Sequence, residues 1–180
     1  MSNTKSASND IAVIGMGVMG ANLARNFASR DLRVGVYNRS QDLAKEVVTA
    51  HPEAKLDRAE TLVELVAGLV RPRRIILMVS AGSAVDAVLD ALDPLLEQDD
   101  IVVDAGNSHF ADTERRCERA DSRPWRFMGM GVSGGAEGAL LGPSIMPGGD
   151  MQAWENLQPI LEAAAAKSDS GPCVAYCGAG

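Results

Sequence analysis

Six residues near the start of the chain, Gly15-Met16-Gly17-Val18-Met19-Gly20, have the spacing G-x-G-x-x-G. They follow the apolar run Ile11-Ala12-Val13-Ile14. They open a stretch in which Met19, Leu23 and Phe27 recur every four residues. The motif therefore lies between a predicted strand and a predicted helix. In that place its chemistry is anion binding. Gly15 permits the tight turn, Gly17 lets a pyrophosphate approach the backbone, and Gly20 lets the helix pack close to the strand. The N–H groups and dipole of the helix start favour the negative charge. A glycine-rich turn without a ligand has the same letters. The strand–turn–helix setting favours the phosphate.

The end of the next strand bears on which dinucleotide is bound. An NAD site usually places Asp or Glu about 20 residues on, to hold the ribose hydroxyls. Here the predicted strand over residues 32–37 ends in Tyr37-Asn38-Arg39-Ser40, with no carboxylate. Arg39 can fork onto a 2′-phosphate, and Asn38 and Ser40 can add donors. A carboxylate would repel that phosphate, so NADP is the expected cofactor. The alternative is a solvated Arg39 beside Ser40 acting as a helix N-cap.

Ligands of open α/β sheets sit beyond the carboxyl ends of the strands. Three more segments fall there. Val79-Ser80-Ala81-Gly82 follows a predicted strand over residues 73–79. Asp104-Ala105-Gly106-Asn107-Ser108 follows a short strand over residues 101–103. There Asn107 offers an amide near the nicotinamide end. Gly131-Val132-Ser133-Gly134-Gly135 follows a strand over residues 125–130. There Ser133, Gly134 and Gly135 offer a hydroxyl and consecutive N–H groups to a substrate. Asn107 and Ser133 would equally serve to tie turns. His109 lies just after the Asn107 turn and reads as an exposed loop residue before a catalytic base. His51 beside Pro52 reads as surface, and two distant histidines make no metal site. Cys173 and Cys177 read as packing residues, and Asp99-Asp100 as a solvated strand entrance.

The elements that must position these residues alternate. Helical patterns span residues 16–29, 61–70, 83–92, 111–120 and 151–166, and one runs from the Ser40 cap to Ala50. A last short strand is expected over residues 173–176. Residues 131–149 hold seven glycines and two prolines and read as a long structured loop. Strands alternating with helices imply right-handed crossovers. The expected fold class is α/β, a doubly wound, mostly parallel, Rossmann-like sheet covered on both faces. At 180 residues one domain is expected, over residues 11–180 behind a flexible tail of residues 1–10. That tail has no apolar signal core.

The chain is 46% hydrophobic and 23% charged, which excludes disorder and collagen. A net charge of −7 argues against nucleic acid or anionic membrane as a partner. It leaves room for a local anion pocket, and 13 of the 17 basic residues are Arg. No run is long enough for a membrane span. Three cysteines without a C-x-x-C pair fit a reduced, cytoplasmic protein.

Taken together, these segments resemble the decarboxylating 6-phosphogluconate dehydrogenases. The matching stretches are I-A-V-I-G-M-G-V-M-G-A-N-L-A at 11–24, Y-N-R-S at 37–40, P-R-R-I-I-L-M-V at 72–79 and D-A-G-N-S at 104–108. The most specific is G-V-S-G-G-A-E-G-A-L-L-G-P-S-I-M-P-G-G at 131–149. The resemblance implies oxidation of 6-phosphogluconate by NADP, loss of CO2 and release of ribulose 5-phosphate in the pentose phosphate pathway. It implies Gly15 to Gly20 on the pyrophosphate and Asn38, Arg39 and Ser40 on the 2′-phosphate. It places Val79 to Ala81 along the cofactor, Asn107 on cofactor and substrate, and Ser133, Gly134 and Gly135 on the substrate. Three residues depart from the family pattern: Ser80 replaces the usual Lys, Ala105 a Gly, and Ala136 a Glu. The family's general base and acid, and the helical domain that forms its homodimer, lie beyond residue 180. The chain ends on Gly178-Ala179-Gly180, which reads as the start of a connection, so a cofactor domain inactive alone is expected. The alternatives are an NAD-dependent β-hydroxyacid dehydrogenase of the 3-hydroxyisobutyrate type, or a non-catalytic NADP-binding module.

Overall fold

The computed structural model describes residues 7–179. Seven strands form one sheet in the order β3-β2-β1-β4-β5-β6-β7. They are β1 (Ile11–Ile14), β2 (Val34–Tyr37), β3 (Leu56–Arg58), β4 (Arg74–Leu77), β5 (Ile101–Asp104), β6 (Arg126–Ser133) and β7 (Ser144–Gly149). All pairings are parallel except that of β7 with β6. The chain runs outward from β1 to β3 and then returns to the other side of β1. The strand order thus reverses between β1 and β4, the point where such sheets open a ligand crevice.

Alternation along the buried strands assigns the two faces. Ile11, Val13, Val34, Val36, Ile76 and Val103 pack with α1 (Val18–Ser29), α2 (Gln41–Ala50) and α7 (Met151–Ala164). Ala12, Ile14, Ile75, Leu77 and Val102 pack with α3 (Leu62–Ala67), α4 (Ser83–Leu92) and α5 (Phe110–Ala120). Every residue of β1 and β5 is buried, as expected of parallel strands covered on both sides. Strand β3 has no counterpart in the sequence reading. Its three half-buried residues, Leu56-Asp57-Arg58, show no apolar run. No described helix is long and apolar enough to cross a membrane.

Three expectations are corrected. Of the tail, residues 1–6 lie outside the described residues, but it is tethered from Ser8 on. Ser8 and Asn9 donate backbone N–H groups to the Gly68 carbonyl at 3.0 and 2.9 Å. Asp100 is no solvated entrance. It is fully buried and pairs with Arg73 at 2.7 Å, while accepting the N–H groups of Arg73 and Glu97. Residues 131–149 are no loop. They complete β6, form α6 (Gly135–Leu141) and return as β7. Tertiary contacts hold this glycine-rich helix. Asn22 donates to the Ala136 carbonyl at 2.8 Å, and buried Asn26 donates to Ala139 and Ala164 at 3.1 and 3.0 Å.

The last expected strand, 173–176, forms only in part. Ile145 N–H donates to Cys173 O, and Ala175 and Cys177 donate to Ile145 O and Pro147 O. The segment thus follows β7 in parallel and covers its edge; Pro147 has no N–H, so one rung is missing there before Gly149 N–H donates to Gly178 O at 2.9 Å. A small hairpin, β8 (Lys167–Ser168) with β9 (Gly171–Pro172), precedes it. Neither cysteine sits in the core: Cys177 is exposed and Cys173 half-buried.

Two local structures shape the carboxyl rim of the sheet. At the first, a Cβ on Gly20 would lie 1.8 Å from the Gly15 carbonyl oxygen, and one on Gly15 would lie 2.3 Å from that of Met78. At the second, Arg116 is fully buried and uses all five guanidinium N–H groups. Nε donates to Asp86 (2.9 Å), Nη1 to Asp104 and Ser108 (3.1 and 3.0 Å), and Nη2 to Gly82 O and Asp86 (3.0 and 3.2 Å).

Gly20→Ala should cost about 1–3 kcal/mol or more by forcing α1 off its strand. A thermal melt will then show a drop of roughly 5–10 °C. Gly17→Ala should leave the melt within about 0.5 kcal/mol, because Gly17 has an ordinary φ and a Cβ there meets nothing within 4 Å. Acid supplies another test. Hydrogen bonds from Arg116, opposed by burial and assisted by Arg115, lower the Asp86 carboxyl from 3.8 to about 2. A carboxylate depressed on folding stabilises above its unfolded value and loses that effect as pH falls through the folded one. Asp86→Asn should therefore melt below the wild type at pH 7, by on the order of 1–2 kcal/mol. That gap should close between about pH 4 and about pH 2; a constant gap would refute the assignment.

Candidate functional site

The sequence-selected residues gather at one rim. The Gly15 N–H donates to Tyr37 O at 2.9 Å, Met78 N–H to Ile14 O at 2.8 Å and Ala105 N–H to Leu77 O at 2.8 Å. These bonds extend the ladder past the strand ends. They level the 15–20 loop with the turns after β2, β4 and β5.

The loop suits a phosphate. Gly15 holds φ 103°, where a side chain would be strained. Gly17 is exposed with open space above its Cα, so the backbone there can be approached closely. The first turn of α1 carries no acidic residue and no side-chain cap, leaving its N–H groups to a ligand. Val18 is exposed and Met19 half-buried beside it. Buried Met16 is different: its N–H donates to Asn38 Oδ1 at 2.9 Å. Asn38 Nδ2 in turn donates to Ser40 O at 2.9 Å. The Asn38 amide is thus a strut between the end of β2 and the phosphate loop, with its second Nδ2 hydrogen left for the phosphate role that the sequence reading gives it. Ser40 is the α2 N-cap residue, but its hydroxyl makes no capping bond. Arg39 and Ser40 are both exposed at the rim, and Arg39 makes no hydrogen bond or ion pair among the described residues.

The opposite half of the rim lies over β4 and β5. Val79 is half-buried, and Ser80 and Ala81 are exposed. A Cβ on Gly106 would stand 2.3 Å from the Val79 carbonyl oxygen, so the two turns touch. Asn107 is exposed and held at φ 59°. Asp104 sets this turn by accepting from Gly106 N–H at 2.9 Å and Ser108 Oγ at 2.6 Å. His109 is the α5 N-cap residue: its Nδ1 accepts from Ala111 N–H at 3.4 Å and its ring tilts against Phe110. That is a structural role. His51 is half-buried and lies 3.7 Å from Glu53.

Strand β6 overhangs the rim. Its Gly129 pairs with Asp104, the end of β5, and the strand continues four residues to Ser133, about 13 Å further. Ser133, Gly134 and Gly135 are exposed there, with Gly134 and Gly135 at φ 131° and 63°. The two turns and the phosphate loop make up the floor of the rim, and Ser133, Gly134 and Gly135 stand beyond it on the extension of β6. The sequence reading missed Arg116 and Asp86, which hold that floor. An Arg in a polar helical pattern reads as solvated, and nothing local marks it as buried.

Proteins of known identity are similar to this chain in sequence and fold. The family model for the NAD binding domain of 6-phosphogluconate dehydrogenase matches residues 10–178. The Escherichia coli decarboxylating 6-phosphogluconate dehydrogenase is 50% identical over 170 residues, which cover 94% of this chain and 36% of that protein. The Trypanosoma brucei brucei enzyme is 44% identical over 176 residues, covering 95% and 37%. Among solved structures, Plasmodium falciparum 6-phosphogluconate dehydrogenase, studied with its cofactor NADP+ and its substrate, superposes with a TM-score of 0.91 at 38% identity. It is covered over 37% of its length, against 95% of this chain. A Mycobacterium tuberculosis 3-hydroxyisobutyrate dehydrogenase shares the fold, with a TM-score of 0.80 at 24% identity over 96% of this chain and 55% of that one. The phosphate loop, the carboxylate-free end of β2 and the match across 10–178 lead to one conclusion: the chain belongs to the family of NAD-binding domains of 6-phosphogluconate dehydrogenase.

Proposed function

We propose that this chain binds NADP and forms the cofactor half of an enzyme that oxidises and decarboxylates 6-phosphogluconate. The observation that carries the cofactor choice is Arg39, exposed and uncommitted at the end of a strand that offers no carboxylate. Its guanidinium forks onto the 2′-phosphate, and the exposed Ser40 adds a donor. The N–H groups of the first α1 turn hold the pyrophosphate, with Gly17 giving the close approach. Val79, Ser80 and Ala81 line the nicotinamide half, and Asn107 reaches both cofactor and substrate. Ser133, Gly134 and Gly135 hold the substrate from the overhanging wall. NADP supplies the hydride acceptor.

Proton transfer is assigned elsewhere. His109 uses Nδ1 as a helix cap, and Asp104 is committed to Arg116, Ser108 and the Gly106 N–H. A hydroxyl cannot lose hydride efficiently without a base to take its proton. The chain by itself therefore binds and orients without turning over at the rate of the whole enzyme. The family resemblance assigns that base and acid, and the homodimer contacts, to a further helical domain.

Calorimetric titration with NADP and with NAD checks the reading. NADP should bind more tightly. Arg39→Ala should weaken NADP by roughly 10- to 100-fold, the value of a charge-assisted bond pair, and leave NAD unchanged. Gly17→Ala should weaken both nucleotides. A preference for NAD, or indifference to Arg39→Ala, would move the assignment to the β-hydroxyacid dehydrogenases. Turnover of 6-phosphogluconate by this chain at the whole enzyme's rate would overturn the division of labour.

A further inference from the structure

We infer that Arg116 is a positioning residue for the nicotinamide half of the crevice, acting by locking the turn 79–82 to the turn 105–109. The inference rests on the reading of this rim as an NADP site.

Neither Ser80 nor Asn107 is anchored through its own side chain; no hydrogen bond of either is found among the described residues. Their positions are set from beneath. Arg116 Nη2 donates to the Gly82 carbonyl, which closes the first turn at φ 88°. Arg116 Nη1 donates to Ser108 Oγ and to Asp104, which flank Asn107. Nε and Nη2 grip Asp86 in the first turn of α4, directly after Gly82. One planar guanidinium thus touches the turn that carries Ser80 and the turn that carries Asn107.

Stability alone is a poor reason for this cluster. Removing the Arg116 guanidinium and the Asp104 carboxylate from water is costly, and apolar replacements of similar volume are often as stable or more so. A fork of five fixed donors does what apolar packing cannot: it sets the relative orientation of two loops. Its reach is also confined. Arg116 bonds to no residue of the phosphate loop or of the segment 38–40. Loosening it should therefore disturb one half of the dinucleotide and spare the other.

The test compares two probes by calorimetry on the full chain. NADP spans the whole rim. Adenosine 2′,5′-bisphosphate carries the phosphate that faces Arg39 but no nicotinamide half. Arg116→Met should weaken NADP by about tenfold or more, and Ser108→Ala by roughly threefold. Both variants should bind the bisphosphate within about twofold of the wild type. Should Arg116→Met fail to fold, Ser108→Ala carries the comparison, since it leaves the ion pairs in place. Equal weakening of both probes, or unchanged NADP affinity, would reduce Arg116 to a structural role and overturn the inference. A wild-type chain that binds neither probe would overturn the NADP reading itself, and the inference with it.

Discussion

Between Gly20 and the carbonyl of Gly15 there is no room for a methyl group; a Cβ would intrude to 1.8 Å. That contact sets the distance at which α1 leaves β1, and much of the rim is located from it. β1 is the strand beside which the order reverses, so the loop above it lies between both halves of the rim. The helix so placed then orders the far side of the molecule. Its Asn22 and Asn26 donate to carbonyls of α6 and α7, and Arg30 reaches the Leu141 carbonyl at 3.3 Å. The hairpin that raises Ser133 above the rim is thus held by the helix that starts at the glycine loop.

Charges do their structural work at the two ends of the strands, where backbone groups leave the ladder and need other partners. At the amino rim, Arg73 pairs with buried Asp100, Arg126 bridges Asp99 and Asp150, and Arg74 donates to Asn156 of α7 at 2.6 Å. At the carboxyl rim, Arg116 gathers Asp86 and Asp104. Each ties a strand end to a neighbouring loop or helix. Arg39 stands apart at the same rim, because no carboxylate neutralises it.

Much of the architecture was legible because its signals are local. Apolar runs bounded by Gly15, Gly82 or Pro52 mark strands and helix limits through dihedral preference and period. The helix α4 over Ser83–Leu92 agrees with the sequence reading to the residue. Failures occurred where tertiary contact overrides propensity. Seven glycines argued for a loop across 131–149, yet two asparagines from α1 stabilise a helix there. Asp100 beside Asp99 looked solvated, because its partner Arg73 lies 27 residues away.

By itself, the amino-acid sequence determined the αβ alternation, the glycine spacing of the anion loop and the carboxylate-free end of β2. Each depends on a residue's own dihedral range, its period or its charge. Tertiary structure alone decided that β7 runs antiparallel, that Asn38 is a strut, that His109 caps a helix and that Arg116 is buried beneath the crevice. Those outcomes depend on which distant groups meet a side chain once the layers close, and no local pattern encodes that meeting.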